Sequence, residues 1–121
     1  MTTILVVDDL ATDRSLVSGL LEQNVDWTVH LAANGVEALD QLMDDTPDVV
    51  ITDMMIPGMN GLELVKQAKA AFPFIPVILM TQQVSEEFAV QMLHRGAAGY
   101  VRKCDLACDL VKTIDYVLIA A

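Results

Sequence analysis

Short apolar runs along this chain alternate with longer stretches in which apolar residues recur every third or fourth position. TILVVD (3–8), WTVHLAA (27–33), DVVIT (48–52), IPVILMT (75–81) and AGYV (98–101) have the length and β-branched content of strands. The third and fourth are apolar on both faces, as in a parallel sheet covered on both sides, while the second alternates as an edge strand does. Between them the spacing predicts helices. Thr12 is placed to cap a helix whose apolar stripe is Leu16, Leu20 and Leu21. Asn34 with Glu37, and Asn60 with Glu63, each set a capping side chain three residues before a glutamate. Ser85 precedes Glu86 and Glu87, acids suited to the positive end of a helix. Asp105 is placed to cap a last helix with Leu106, Leu110, Ile114 and Val117 on its inner face. Strand then helix, five times over, predicts an α/β fold: one doubly wound five-stranded parallel sheet with five helices and right-handed crossovers.

Composition narrows the class. At 121 residues, 54% hydrophobic and 20% charged, the chain is one packed domain spanning 1–121 rather than a disordered segment. No apolar run approaches the roughly 20 residues of a membrane span. MTTILVVDD lacks the basic start of a signal peptide, so a cytoplasmic location and no membrane partner are expected. Cys104 and Cys108, four apart and without nearby histidines, make no zinc site and are expected as reduced thiols. A net charge of -10 with only seven basic residues argues against direct nucleic-acid binding. Carboxylates gathered in space would instead suit a hard cation.

Doubly wound sheets place their sites beyond the carboxyl ends of the strands. The first strand ends in Asp8 and Asp9, the third in Asp53, the fourth in Thr81, and the fifth runs into Lys103. Carboxylates that close together repel, and Mg²⁺, an oxygen-loving ion that pairs with carboxylates and phosphate, would relieve them. A threonine hydroxyl and a lysine ammonium suit phosphoryl oxygens. The chemistry implied is phosphoryl transfer to a carboxylate, with Asp53 as acceptor and Ile56-Pro57-Gly58 turning the chain away from it. Any one of these residues alone would be an ordinary cap, strand end or surface lysine. Their register makes them a set.

ILVVDD, DMMIPGMNGLEL, VILMT and GAAGYVRK together resemble the receiver domain of two-component response regulators, over essentially the full chain. The resemblance implies the flavodoxin-like strand order 2-1-3-4-5. It implies phosphorelay from a histidine kinase or phosphotransfer protein to Asp53, the chain assisting its own phosphorylation and dephosphorylation without being an enzyme. Asp8 and Asp9 would hold Mg²⁺ with Asp53 and the main-chain carbonyl of Met55. Thr81 and Lys103 would grip the phosphoryl oxygens. Thr81 and Tyr100 would form the switch that changes the surface of the fourth helix, fifth strand and fifth helix, where a second copy or another partner docks. In this family the residues two places after the aspartate and two after the threonine tune attack by water. Here they are Met55 and Gln83, neither an acid, so a phosphoryl lifetime of minutes to hours is expected.

Three positions depart from the family pattern. Cys104 follows Lys103 where a proline in a cis bond is usual. A cis bond before cysteine costs about 2.5–4 kcal/mol, so a trans bond is expected, with Lys103 still reaching the site on its flexible stem. Gln82 stands where a small residue is usual, and Ile56 replaces the commoner methionine. Competing readings fare worse. DDLATD is a poor phosphate cradle for a flavin, and Met55 occupies the place of the second acid of aspartate-nucleophile phosphatases. The alternative is a degenerate, phosphorylation-independent receiver acting as an interaction module, against which all the reacting groups are retained.

Overall fold

The computed structural model describes residues 2–56, 58–82 and 85–120. Five strands, β1 (Thr2–Val7), β2 (Trp27–Ala32), β3 (Val49–Asp53), β4 (Val77–Thr81) and β5 (Gly99–Arg102), alternate with five helices. These are α1 (Ala11–Leu21), α2 (Gly35–Asp44), α3 (Gly61–Ala71), α4 (Glu86–His94) and α5 (Leu106–Ala120), the last entered through a 3₁₀ turn at Lys103–Asp105. The strands form one parallel sheet in the order β2-β1-β3-β4-β5. This is the expected doubly wound architecture, with β2 on an edge and β3 and β4 buried throughout.

The period of two along each strand divides the interior. Ile4 and Val6 of β1, Val49 and Ile51 of β3, and Ile78 and Met80 of β4 face one layer. They pack against Val17 and Leu21 of α1 and Leu110, Ile114 and Val117 of α5. Leu5 and Val7, Val50, and Val77 and Leu79 face the other layer, under α2, α3 and α4. Burying a side chain of this size stabilises the fold by about 1.5–3 kcal/mol.

Asn34, Asn60 and Ser85 cap their helices as their spacing predicts, each accepting from the amide three residues on. Three expectations need correction. Thr12 does not cap α1: the helix starts at Ala11 with Leu10 at its N-cap and no side-chain cap bond, because the Asp8 carboxylate turns the chain first by accepting from the Leu10 amide. Val17 joins Leu20 and Leu21 in facing the sheet, and Leu16, expected on that face, is 55% exposed. Asp105 spends its carboxylate on the Arg102 guanidinium, 2.7 Å from Nε, at the edge of the 3₁₀ turn. The inner face of α5 is as expected, with Leu106, Leu110, Ile114 and Val117 all buried.

Two glycines shape the exit from β3. Gly58 adopts a φ of 74°, where a side chain would be strained. At Gly61 a Cβ would lie 2.6 Å from the Asp53 carbonyl oxygen and 2.9 Å from the Met54 Cα. The absence of a side chain lets α3 start directly against the end of β3, where the Gly61 amide donates to the Met54 carbonyl. Pro57 lies outside the described residues.

Candidate functional site

The carboxyl ends of the sheet bring together residues far apart in sequence. Asp8 follows β1, Asp53 and Thr81 close β3 and β4, and all three are buried. Lys103 follows β5 directly. Its Nζ donates to Asp53 Oδ2 at 2.8 Å, to Asp13 Oδ2 at 2.9 Å and to Asp8 Oδ2 at 3.3 Å. Among the described residues no peptide bond is cis. Lys103–Cys104 is therefore trans, and the lysine reaches Asp53 on its stem, as expected.

Main-chain groups orient the acids. The Met55 amide donates to Asp53 Oδ1 at 3.1 Å, so both acceptor oxygens are held. The Leu10 amide donates to Asp8 Oδ1, and Arg14 Nη1 donates to the Asp8 carbonyl at 2.7 Å, tying the β1–α1 loop to the first helical turns. A cleft of about 540 Å³ opens over Asp53, lined also by Asp9, Met55, Thr81, Gln82, Phe88 and Lys103. Gln82 is exposed at its rim. Tyr100 is half-buried and meets Phe88 edge to face, ring centroids 6.4 Å apart. Gln83 lies outside the described residues.

The electrostatics follow from burial and company. Burial pushes the Asp8 carboxyl above its ordinary value, helped by the charge of Asp53 and opposed by the Leu10 amide and Lys103. Burial alone would lower Lys103, but its hydrogen bonds to Asp53 and Asp13, with the charges of Asp53 and Asp8, outweigh this and raise it. Burial also raises Tyr100. One ammonium faces three carboxylates, a surplus of negative charge when all are ionised.

Asp8, Asp13 and Asp53 each offer an oxygen within 4.8 Å of the others, a donor set that fits a small hard cation. Asp9 is not part of that group among the described residues; it is exposed and lines the cleft. Asp13 is the member that the sequence pattern missed. The available signal was its place in the first turn of α1, whose start shares the rim with the strand ends. Among the described residues Cys104 and Cys108 are free and exposed, and no helix is long and apolar enough to cross a membrane.

A family model described as the response regulator receiver domain matches residues 4–115. The DNA-binding transcriptional regulator NtrC of Escherichia coli K12 is 39% identical over 98 residues, covering 81% of this chain and 21% of that protein. The response regulator MprA of Mycobacterium avium is 37% identical over 100 residues, covering 83% of this chain and 43% of the relative. The chain thus spans less than half the length of either. Among solved structures, a response regulator receiver domain protein from Clostridium thermocellum superposes with a TM-score of 0.89 at 30% identity, covering 99% of this chain and 96% of that one. A CheY-like receiver domain protein from Methanospirillum hungatei superposes with a TM-score of 0.88 at 28% identity, covering 99% and 95%.

Proposed function

The chain belongs to the response regulator receiver domain family, and from that premise we propose that it accepts a phosphoryl group on Asp53 and relays its presence through α4, β5 and α5. The observation that carries this reading is the Asp53 carboxylate, fixed between the Lys103 ammonium and the Met55 amide at the floor of an open cleft. An Asp53 oxygen forms a bond to phosphorus as the bond to the donor imidazole of a histidine kinase or phosphotransfer protein breaks. The departing nitrogen takes up a proton. Lys103 and the Thr81 hydroxyl then bind phosphoryl oxygens, offsetting charge that the acids alone would repel. Mg²⁺, held by Asp8 and Asp53 with Asp9 and the Met55 carbonyl, would neutralise the transferred group.

Thr81, drawn toward the phosphoryl group, opens space into which Tyr100 turns, altering the surface where a second copy or another partner docks. The chain acts as a phosphoacceptor rather than as an enzyme, in the cytoplasm. Output in the manner of NtrC, a DNA-binding regulator, would reside outside this acidic domain. Incubation with acetyl phosphate and Mg²⁺ followed by intact mass tests the reading. One alkali-labile phosphoryl group is expected on the native chain and none on Asp53→Asn; full labelling of that variant overturns the assignment.

A further inference from the structure

Asp13 is the member of the Lys103 cluster that the proposed chemistry leaves unused. Its Oδ2 lies 2.9 Å from Nζ, nearer than Asp8 at 3.3 Å and level with Asp53 at 2.8 Å. It comes from the first turn of α1 rather than from a strand end, and its side chain is 32% exposed where that of Asp8 is fully buried. Lys103 and Asp53 line the cleft, whereas Asp13 does not. Asp13 therefore holds the ammonium from a helix, beside the two acids that the strand ends supply.

We propose that Asp13 is a positioning residue that anchors Lys103 for phosphoryl transfer. An ammonium has three N–H donors, and in this arrangement three carboxylates take them. Two of those partners change during the reaction. Asp53 gives up its carboxylate charge on becoming an acyl phosphate, and a divalent cation on Asp8 would repel the ammonium. Asp13 keeps its charge and its place, so it becomes the fixed point of a long, otherwise mobile side chain.

The rate arm of the test rests on the phosphoacceptor reading; a second arm does not. Under saturating acetyl phosphate and Mg²⁺, Asp13→Ala should slow labelling about tenfold, with half-saturating acetyl phosphate and Mg²⁺ affinity within about twofold of native. Asp13→Glu should recover part of the rate, and Asp13→Asn serves if the alanine variant does not fold. In a Lys103→Ala background the same change should alter the rate by less than about twofold, because the residue acts through the lysine. In the metal-free protein, Asp13→Ala should lower the NMR order parameter of the Lys103 Cε whether or not phosphoryl transfer occurs. An unchanged or faster rate, or a full loss persisting without Lys103, overturns the inference. So does Mg²⁺ affinity weakened about tenfold or more, which would make Asp13 a metal ligand. If native protein takes no label, the functional reading falls, and an unchanged Lys103 order parameter in Asp13→Ala would then sink the anchor by itself.

Discussion

The neighbouring helices α3 and α4 cover the same face of the sheet but are held very differently. α3 buries Gly61, Leu62, Leu64, Val65 and Ala68, and its start is pressed against the end of β3. α4 buries Met92 alone among its described side chains, with Phe88 half-buried, and leaves Val90 and Leu93 facing out. The strands beneath repeat the contrast: every residue of β3 is buried, while Tyr100 and Arg102 of β5 are not. Asp53, the proposed phosphoacceptor, closes β3 on the rigid side. The surface proposed to respond sits where few apolar contacts hold it, and where local rearrangement costs least.

Several experiments sharpen or break this contrast. The largest effect belongs to the rigid side, where Asp53→Asn should abolish phosphoryl uptake altogether by intact mass while leaving the circular dichroism spectrum unchanged. On the responsive side, Tyr100→Ala should remove phosphorylation-dependent self-association in analytical ultracentrifugation; unchanged association would reduce the tyrosine to packing. In urea unfolding, Leu64→Ala in α3 should cost about 2–5 kcal/mol. Leu93→Ala, at a half-exposed position of α4, should stay within about 0.5 kcal/mol. Comparable losses would mean that α4 is as firmly seated as α3.

A smaller effect is expected from Asp8. Its carboxyl is raised in the folded protein, so the associated stability is fully present below the ordinary value of 3.8 and is lost as pH rises through the folded value. Asp8→Asn should raise the metal-free unfolding midpoint near neutral pH and flatten its dependence on pH above 3.8. Added Mg²⁺ should then stabilise the native chain but not this variant. Lys103 has the opposite consequence at neutrality. Its raised value keeps its stabilising contribution fully present below the ordinary 10.5, to be lost only in strong alkali.

What the sequence could disclose depended on how each residue is placed. β3 and β4 were legible because fully apolar β-branched runs fit few other settings, and with strands alternating with helices on either side, Asp8, Asp53, Thr81 and Lys103 fell on one rim by topology alone. Asp13 carried only a weak signal, its place near the start of α1. Its direction depends on where α1 begins, and that is fixed by the Asp8 carboxylate turning the chain at Leu10, a contact between side chain and main chain that periodicity does not encode. Val17 is buried and Leu16 exposed, a choice of helix face that the apolar spacing around Leu20 and Leu21 leaves open. Asp105 misled because a capping residue and an ion-pair partner look alike in sequence; Arg102, three residues earlier, decides the matter.

The alternation along β1 has a wider meaning. Ile4 and Val6 belong to one interior, Leu5 and Val7 to the other, and the two apolar clusters have no residue in common. The sheet is a partition, so substitutions on opposite sides of it should behave as independent events. Drift in the layer beneath α1 and α5 can proceed without disturbing the layer beneath α4. A lineage could therefore repack either interior on its own evolutionary schedule.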